Sequence, residues 1–141
     1  MKVVSGIIAL DEPDRRVLMA LRSASGSFPN HWELPGGKVE EGETYPEALV
    51  RELREELGVK VQVHEPVATV RLELDKSYAI TLFRYSILGG KPEPLVSQSL
   101  LWVDMRTTVG RLVLMPSMYA YYRAALRHVH ALTRDQLHTP R

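Results

Sequence analysis

Glu52, Glu55 and Glu56 fall within a single short run, Arg51-Glu52-Leu53-Arg54-Glu55-Glu56. On a helix that advances about 100° per residue, Glu55 lies about 60° to one side of Glu52, and Glu56 about 40° to the other. The three carboxylates therefore share one face within one turn. Like charges at that spacing repel, and a hard divalent cation with oxygen ligands is the natural partner for such a face. Seven of the chain's 17 acidic residues lie between Gly37 and Val59. Most charge runs are only solvated faces, but this one sits on a well-bounded element. Thr44 and Glu47 have the spacing of a capping box, with Pro46 in the first turn. Gly58 is placed to end the helix. Val50, Leu53 and Leu57 form an apolar stripe away from Glu52, with Leu49 at its margin.

The residues ahead of this helix add to the chemistry. Trp32-Glu33-Leu34-Pro35-Gly36-Gly37-Lys38 reads as a strand end, a glycine turn and a cation. Gly36 and Gly37 allow the backbone to approach a ligand closely. Lys38 can meet phosphate as a point charge. A carbonyl-rich turn, a carboxylate helix and a lysine suit Mg²⁺ bound together with a polyphosphate, because Mg²⁺ takes few carboxylates, keeps waters and accepts substrate oxygens.

Gly37, five residues, Glu43, seven residues, then Arg51-Glu52-Leu53-x-Glu55-Glu56-x-Gly58-Val59 resembles the Nudix box at every defined position. The lead-in Trp-Glu-Leu-Pro-Gly-Gly-Lys resembles the MutT-type branch of that family. The resemblance implies an enzyme that cleaves a diphosphate linked to another group, using Mg²⁺ or Mn²⁺. It implies Glu52, Glu55 and Glu56 as metal ligands, with the Gly36 carbonyl beside them. Glu52 or Glu56 would alternatively activate water. Arg51 would orient a carboxylate, Glu52 or Glu43, through a bidentate pair. The chemistry needs such a set: a phosphoanhydride repels an incoming hydroxide, and metal ions neutralise that charge and lower the pKa of water.

Substrate choice is expected elsewhere. Arg22, at the end of a strand, matches an arginine that contacts the nucleotide in MutT-type proteins, and Glu33 matches a glutamate near the sugar. Two positions depart from the pattern. Many relatives carry a glutamate shortly before the tryptophan that is here Trp102, whereas this chain has Val96-Ser97-Gln98-Ser99. Gln98 can hold a water or a base edge but cannot act as a base. Met118 stands where purine-selective relatives often carry asparagine. Methionine packs adaptably but cannot read a purine edge through paired hydrogen bonds, which points to a broader or pyrimidine preference. Tyr119 and Tyr122 are spaced to line the same pocket, although packing against the sheet is the more common use of such residues.

The chain has 141 residues, 45% apolar and 25% charged, with a formal net charge of +1. That composition suits one soluble domain with a real core, expected over residues 1–132, with a frayed tail at 133–141. The absence of cysteine excludes disulfides and thiolate zinc sites. Near-neutral charge gives no reason to expect a stable nucleic-acid partner, and no apolar run reaches membrane-spanning length. A cytoplasmic protein is expected, with a nucleotide as its partner, and either a monomer or a homodimer is compatible with the sequence. Strands are expected at Val3–Leu10, paired as a hairpin with Arg16–Leu21. Further strands are expected at Val61–His64, Val67–Leu74, Tyr78–Leu88 and Ser99–Val103, with a last helix at Ser117–Leu132. The fold class is α/β, a mixed sheet between helices in an α/β/α sandwich, which agrees with the Nudix fold. The leading functional expectation is a nucleoside triphosphate pyrophosphohydrolase that releases nucleoside monophosphate and pyrophosphate. The alternatives are hydrolysis of a nucleotide sugar, ADP-ribose, a dinucleoside polyphosphate or an RNA 5′ end, and a non-catalytic nucleotide-binding module.

Overall fold

Short runs of β-branched residues and leucine, broken by glycine, proline and polar turns, set out seven strands and one helix among the described residues. The computed structural model describes residues 1–7, 16–104 and 111–118. In chain order the elements are β1 (Lys2–Ile7), β2 (Val17–Leu21), β3 (Trp32–Glu33), β4 (Gly36–Lys38), α1 (Tyr45–Leu57), β5 (Lys60–Glu73), β6 (Ser77–Gly89) and β7 (Ser99–Val103). Four strands form a mixed sheet in the order β4-β1-β6-β5, with β1 and β6 parallel and the other pairs antiparallel. The remaining three form an antiparallel sheet in the order β3-β2-β7.

The period of two along each strand sorts side chains into two cores. Val4, Leu18, Phe83 and Tyr85 point to the side of α1, where Leu49, Leu53 and Leu57 meet them. Ile7, Val17, Met19, Ile80, Leu82 and Val103 point the other way and pack with Leu114 and Met118. Both sheets thus contribute to both cores, and the architecture is the expected mixed α/β layering. Residues 116–118 are helical. The rest of the helix expected at Ser117–Leu132, with Tyr119, Tyr122 and the tail, falls outside the described residues.

The hairpin expected between Val3–Leu10 and Arg16–Leu21 would close through residues 8–15, which lie outside the described residues; within them β1 pairs with β4 and β6, and β2 with β3 and β7. Two expectations are corrected. The two strands expected at Val61–His64 and Val67–Leu74 are one strand, β5, whose register shifts around Pro66 absorb the irregularity. Proline is tolerated there because β5 is an edge strand. On α1, Leu49 is fully buried while Val50 is only partly so, which rotates the apolar stripe toward Glu52 and Glu56.

The ends of α1 are as anticipated. Thr44 Oγ1 accepts from the Glu47 N–H at 3.2 Å, and the Glu47 carboxylate accepts from the Thr44 N–H at 2.8 Å. Gly58 adopts the left-handed conformation (φ 71°), and its N–H donates to the Arg54 carbonyl at 3.0 Å. Two further carbonyls at the helix end are satisfied from outside. The Leu95 N–H donates to Glu56 O at 3.1 Å, and the Glu93 N–H to Leu57 O at 3.0 Å. The segment after β6 is thereby fastened to the turn of α1 that carries Glu56.

Candidate active site

Arg51 organises the acidic face. Its Nε donates to Glu43 Oε2 at 2.7 Å and its Nη2 to Glu43 Oε1 at 3.0 Å, a two-pronged pair. Nη1 donates to Glu52 Oε1 at 2.9 Å and reaches Glu55 Oε2 at 3.4 Å, while Nη2 also donates to the Lys38 carbonyl at 3.0 Å. One guanidinium thus joins α1 to the turn before it and to β4. The hydrogen bonds from Arg51 hold the Glu43 carboxyl below the usual carboxylate range, and those same carboxylates make Arg51 hold its proton more firmly still.

The glycine turn seats the other carboxylates. A Cβ on Gly37 would fall 2.4 Å from the Glu52 carboxyl carbon and 2.6 Å from each of its oxygens. Glycine at 37 therefore leaves the space into which Glu52 fits. Gly36 meets Glu56 through its N–H, which donates to Glu56 Oε2 at 3.0 Å. Its own missing side chain would strike the Val4 carbonyl oxygen at 2.0 Å across the β1–β4 pairing. Glu56 is pushed up to about 8, first by burial, then by the charges of Glu52 and Glu33, against the Gly36 N–H and Arg22. Glu55 differs from its neighbours: its side chain is 56% exposed, against 15% for Glu52.

Glu56 faces a pocket whose wall includes Arg22, Glu33, Ser27, Pro35, Val96 and Ser97. Arg22 Nη1 pairs with Glu33 Oε2 at 3.1 Å, and its Nε and Nη2 donate to Ser27 O and Oγ at 3.1 and 3.0 Å. Burial pushes the Glu33 carboxyl up, and Arg22 draws it back down. A half-buried cation–carboxylate pair and Glu56 therefore border one cavity.

Among the described residues no three carboxylate or imidazole groups converge on one point. Glu52 and Glu55 turn toward Arg51, and Glu56 turns toward Gly36. The donor set still fits a hard cation. Glu52 Oε2 and Glu56 Oε1 accept no hydrogen bond from the described residues, both groups are oxygen donors, and the charge of Glu52 raises Glu56. A divalent ion would relieve that repulsion.

A sequence model of the Nudix domain matches residues 1–104. The chain belongs to the Nudix family. It is 45% identical over 74 residues to the CTP pyrophosphohydrolase of Escherichia coli, a match that covers 52% of this chain and 55% of that protein. It is 38% identical over 94 residues to a putative 8-oxo-dGTP diphosphatase 2 of Mycobacterium tuberculosis, covering 62% of this chain and 63% of that protein. These matches thus span a little over half the length of the curated relatives. Among solved structures, the solution structure of the E. coli ORF135 protein superposes with a TM-score of 0.71 at 32% identity, over 92% of this chain and 90% of that one. The MutT protein from Methanosarcina mazei Go1 superposes with a TM-score of 0.76 at 22% identity, over 90% and 91%, a likeness of fold.

Within this Nudix domain the structure brings together Arg51, Glu52, Glu55, Glu56, Gly36, Arg22 and Glu33 at one end of α1. Three expected site residues lie elsewhere. Lys38 alternates with Gly37 along β4, so its side chain leaves the strand on the face opposite Glu52, and it is its carbonyl that serves Arg51. Gln98 is outside the pocket wall. Its Nε2 donates to the Arg22 carbonyl at 2.7 Å and to Asn30 Oδ1 at 2.5 Å, clamping the 23–30 loop. Met118 is a correction to the sequence reading. It is 0% exposed in the core with Leu114 and Met19, because an unbranched apolar side chain at a helix start fills the space under the sheet. That burial withdraws Met118 as a support for the expected base preference. Val96 and Ser97 were missed as pocket residues; their position depends on the fastening of the 93–95 segment to α1, for which the sequence carries no local signal.

Proposed function

We propose that this chain is a divalent-metal-dependent hydrolase of nucleoside triphosphates that cleaves a phosphoanhydride bond and releases nucleoside monophosphate and pyrophosphate. The observation that carries the reading is the pairing of Glu52 and Glu56. Each carboxylate has an oxygen that accepts no hydrogen bond from the described residues, the two lie close enough that the charge of Glu52 raises Glu56, and Glu56 faces the pocket. The relatives named as a CTP pyrophosphohydrolase and a putative 8-oxo-dGTP diphosphatase support a nucleoside triphosphate as the substrate class.

In this reading Glu52, Glu55 and Glu56 hold Mg²⁺ or Mn²⁺ with the Gly36 backbone beside them. When bound, the ion supplies charge neutralisation on the phosphates and lowers the pKa of water. The chain's own residues do the rest. Arg51 holds Glu52 in line and ties it to Glu43, which keeps the carboxylate array from relaxing into solvent. Gly37 leaves the seat for Glu52. Glu56, whose Oε1 accepts no hydrogen bond from the described residues, would take a proton from the attacking water once a bound cation keeps it ionised. Arg22 and Glu33 on the pocket wall position the nucleoside part.

The test is a Mg²⁺-dependent screen of canonical, oxidised and methylated nucleoside triphosphates alongside ADP-ribose, with the products identified. Pyrophosphate is the expected product; orthophosphate would reject the reaction class. Glu56→Gln should lower kcat by at least about a hundredfold while the domain stays folded. Near-normal turnover in that variant would remove Glu56 from the site.

A further inference from the structure

Tyr85 is 1% exposed, packed in the core that faces α1. Its ring occupies the place a side chain at position 6 would need. A Cβ on Gly6 would come within 2.7 Å of the ring's Cδ1 and 2.8 Å of Cε1. Glycine weakens a strand interior and marks a close approach by another group, and at Gly6 that group is the Tyr85 ring. The Gly6 N–H donates to the Pro35 carbonyl at 2.9 Å, and the next residue, Gly36, donates to Glu56. Tyr85, Gly6, the Pro35-Gly36 turn and Glu56 are therefore consecutive neighbours.

The outer end of this ring is a hydroxyl, buried and without a hydrogen-bond partner among the described residues. Such a group costs stability, and phenylalanine would fill the same space without it. The charge of Glu56 reaches the phenol and, after burial, is the second cause that raises its pKa. Among the described residues Glu56 takes a donor only on Oε2. A buried O–H without an acceptor and a carboxylate oxygen without a donor thus lie on the two sides of the contact between Gly6 and the Pro35-Gly36 turn.

We propose that Tyr85 is a positioning residue for Glu56: its hydroxyl donates across one water to the free side of the Glu56 carboxylate and fixes how that carboxylate faces the pocket. The proposal rests on the hydrolase reading of Glu56 and adds to it a group from β6, outside the acidic helix. It also accounts for Gly6, whose lack of a side chain admits the ring.

The experiment compares Tyr85→Phe with Glu56→Gln in the full chain. For Tyr85→Phe the metal-free Tm should stay level or rise slightly, because the unpartnered hydroxyl is gone. The kcat should fall about tenfold with KM nearly unchanged, and the Mn²⁺ concentration giving half-maximal thermal stabilisation should rise several-fold, about the size seen when a ligand's supporting partner is lost. Parental kcat together with a parental Mn²⁺ midpoint would overturn the proposal. So would a loss of kcat matched by a loss of metal-free stability, which would make Tyr85 a packing residue. An inactive Glu56→Gln beside an unchanged Tyr85→Phe rejects Tyr85 alone, whereas a fully active Glu56→Gln rejects the hydrolase reading and this proposal with it.

Discussion

At neutral pH the Glu56 carboxyl of the metal-free protein retains its proton, because burial and the charges of Glu52 and Glu33 push it up to about 8. Unfolding returns it to the ordinary value of 4.5. Between those two values the folded chain binds one proton more than the unfolded chain, so stability falls as pH rises through that window and levels off above it. A divalent cation reverses the local logic by favouring the ionised form. The Tm measured in chelator should therefore decline from about pH 5 to pH 8, and the gain on adding Mn²⁺ should be largest at the alkaline end. Glu56→Gln should flatten both dependences. A Tm in chelator that stays level over this range would show that Glu56 is not the buried acid described. At this scale the sequence was informative about identity but not about partnership. The spacing placed Glu52 and Glu56 on one face, yet nothing in it indicated that Glu56 would turn inward to Gly36, since that depends on the rotation of α1 that buries Leu49 in place of Val50.

Two adjacent glycines do different work in β4. At Gly37 an added methyl would meet the far end of the Glu52 side chain, which can swing away, whereas at Gly36 it would meet the Val4 backbone. Gly37→Ala should then change stability by less than about 1 kcal/mol but displace Glu52 and lower kcat about 10- to 100-fold. Gly36→Ala should cost about 1–3 kcal/mol or more, because a paired strand has to move. Urea denaturation together with kcat measurement separates the two; equal stability losses would argue against the seat assigned to Glu52. The helix was legible to within its caps, because capping is local chemistry written in Thr44, Glu47 and Gly58. Strand pairing was less so. β1 takes β4 and β6 as neighbours, partners remote in sequence that no local pattern announces.

Across the molecule, the layering was readable from alternation alone, but membership of core or pocket was not. Met118 stands near the chemistry in sequence logic and inside the core in space. Met118→Asn should destabilise the protein by about 3 kcal/mol, through lost packing and an unpaired amide; chemical denaturation would measure it, and an unchanged midpoint would contradict the burial. The fastening of the chain around the pocket has a different consequence. Gln98 holds the Arg22 carbonyl and Asn30, and residues 93 and 95 grip the end of α1. The mouth of the cavity is therefore a jaw of set gape, anchored on the last turn of the helix and tied by one amide. Lengthening or shortening the 90–97 segment resizes that jaw while the carboxylates behind it keep their places, so the breadth of molecules admitted can drift in descendants of this chain without the reaction itself being rebuilt.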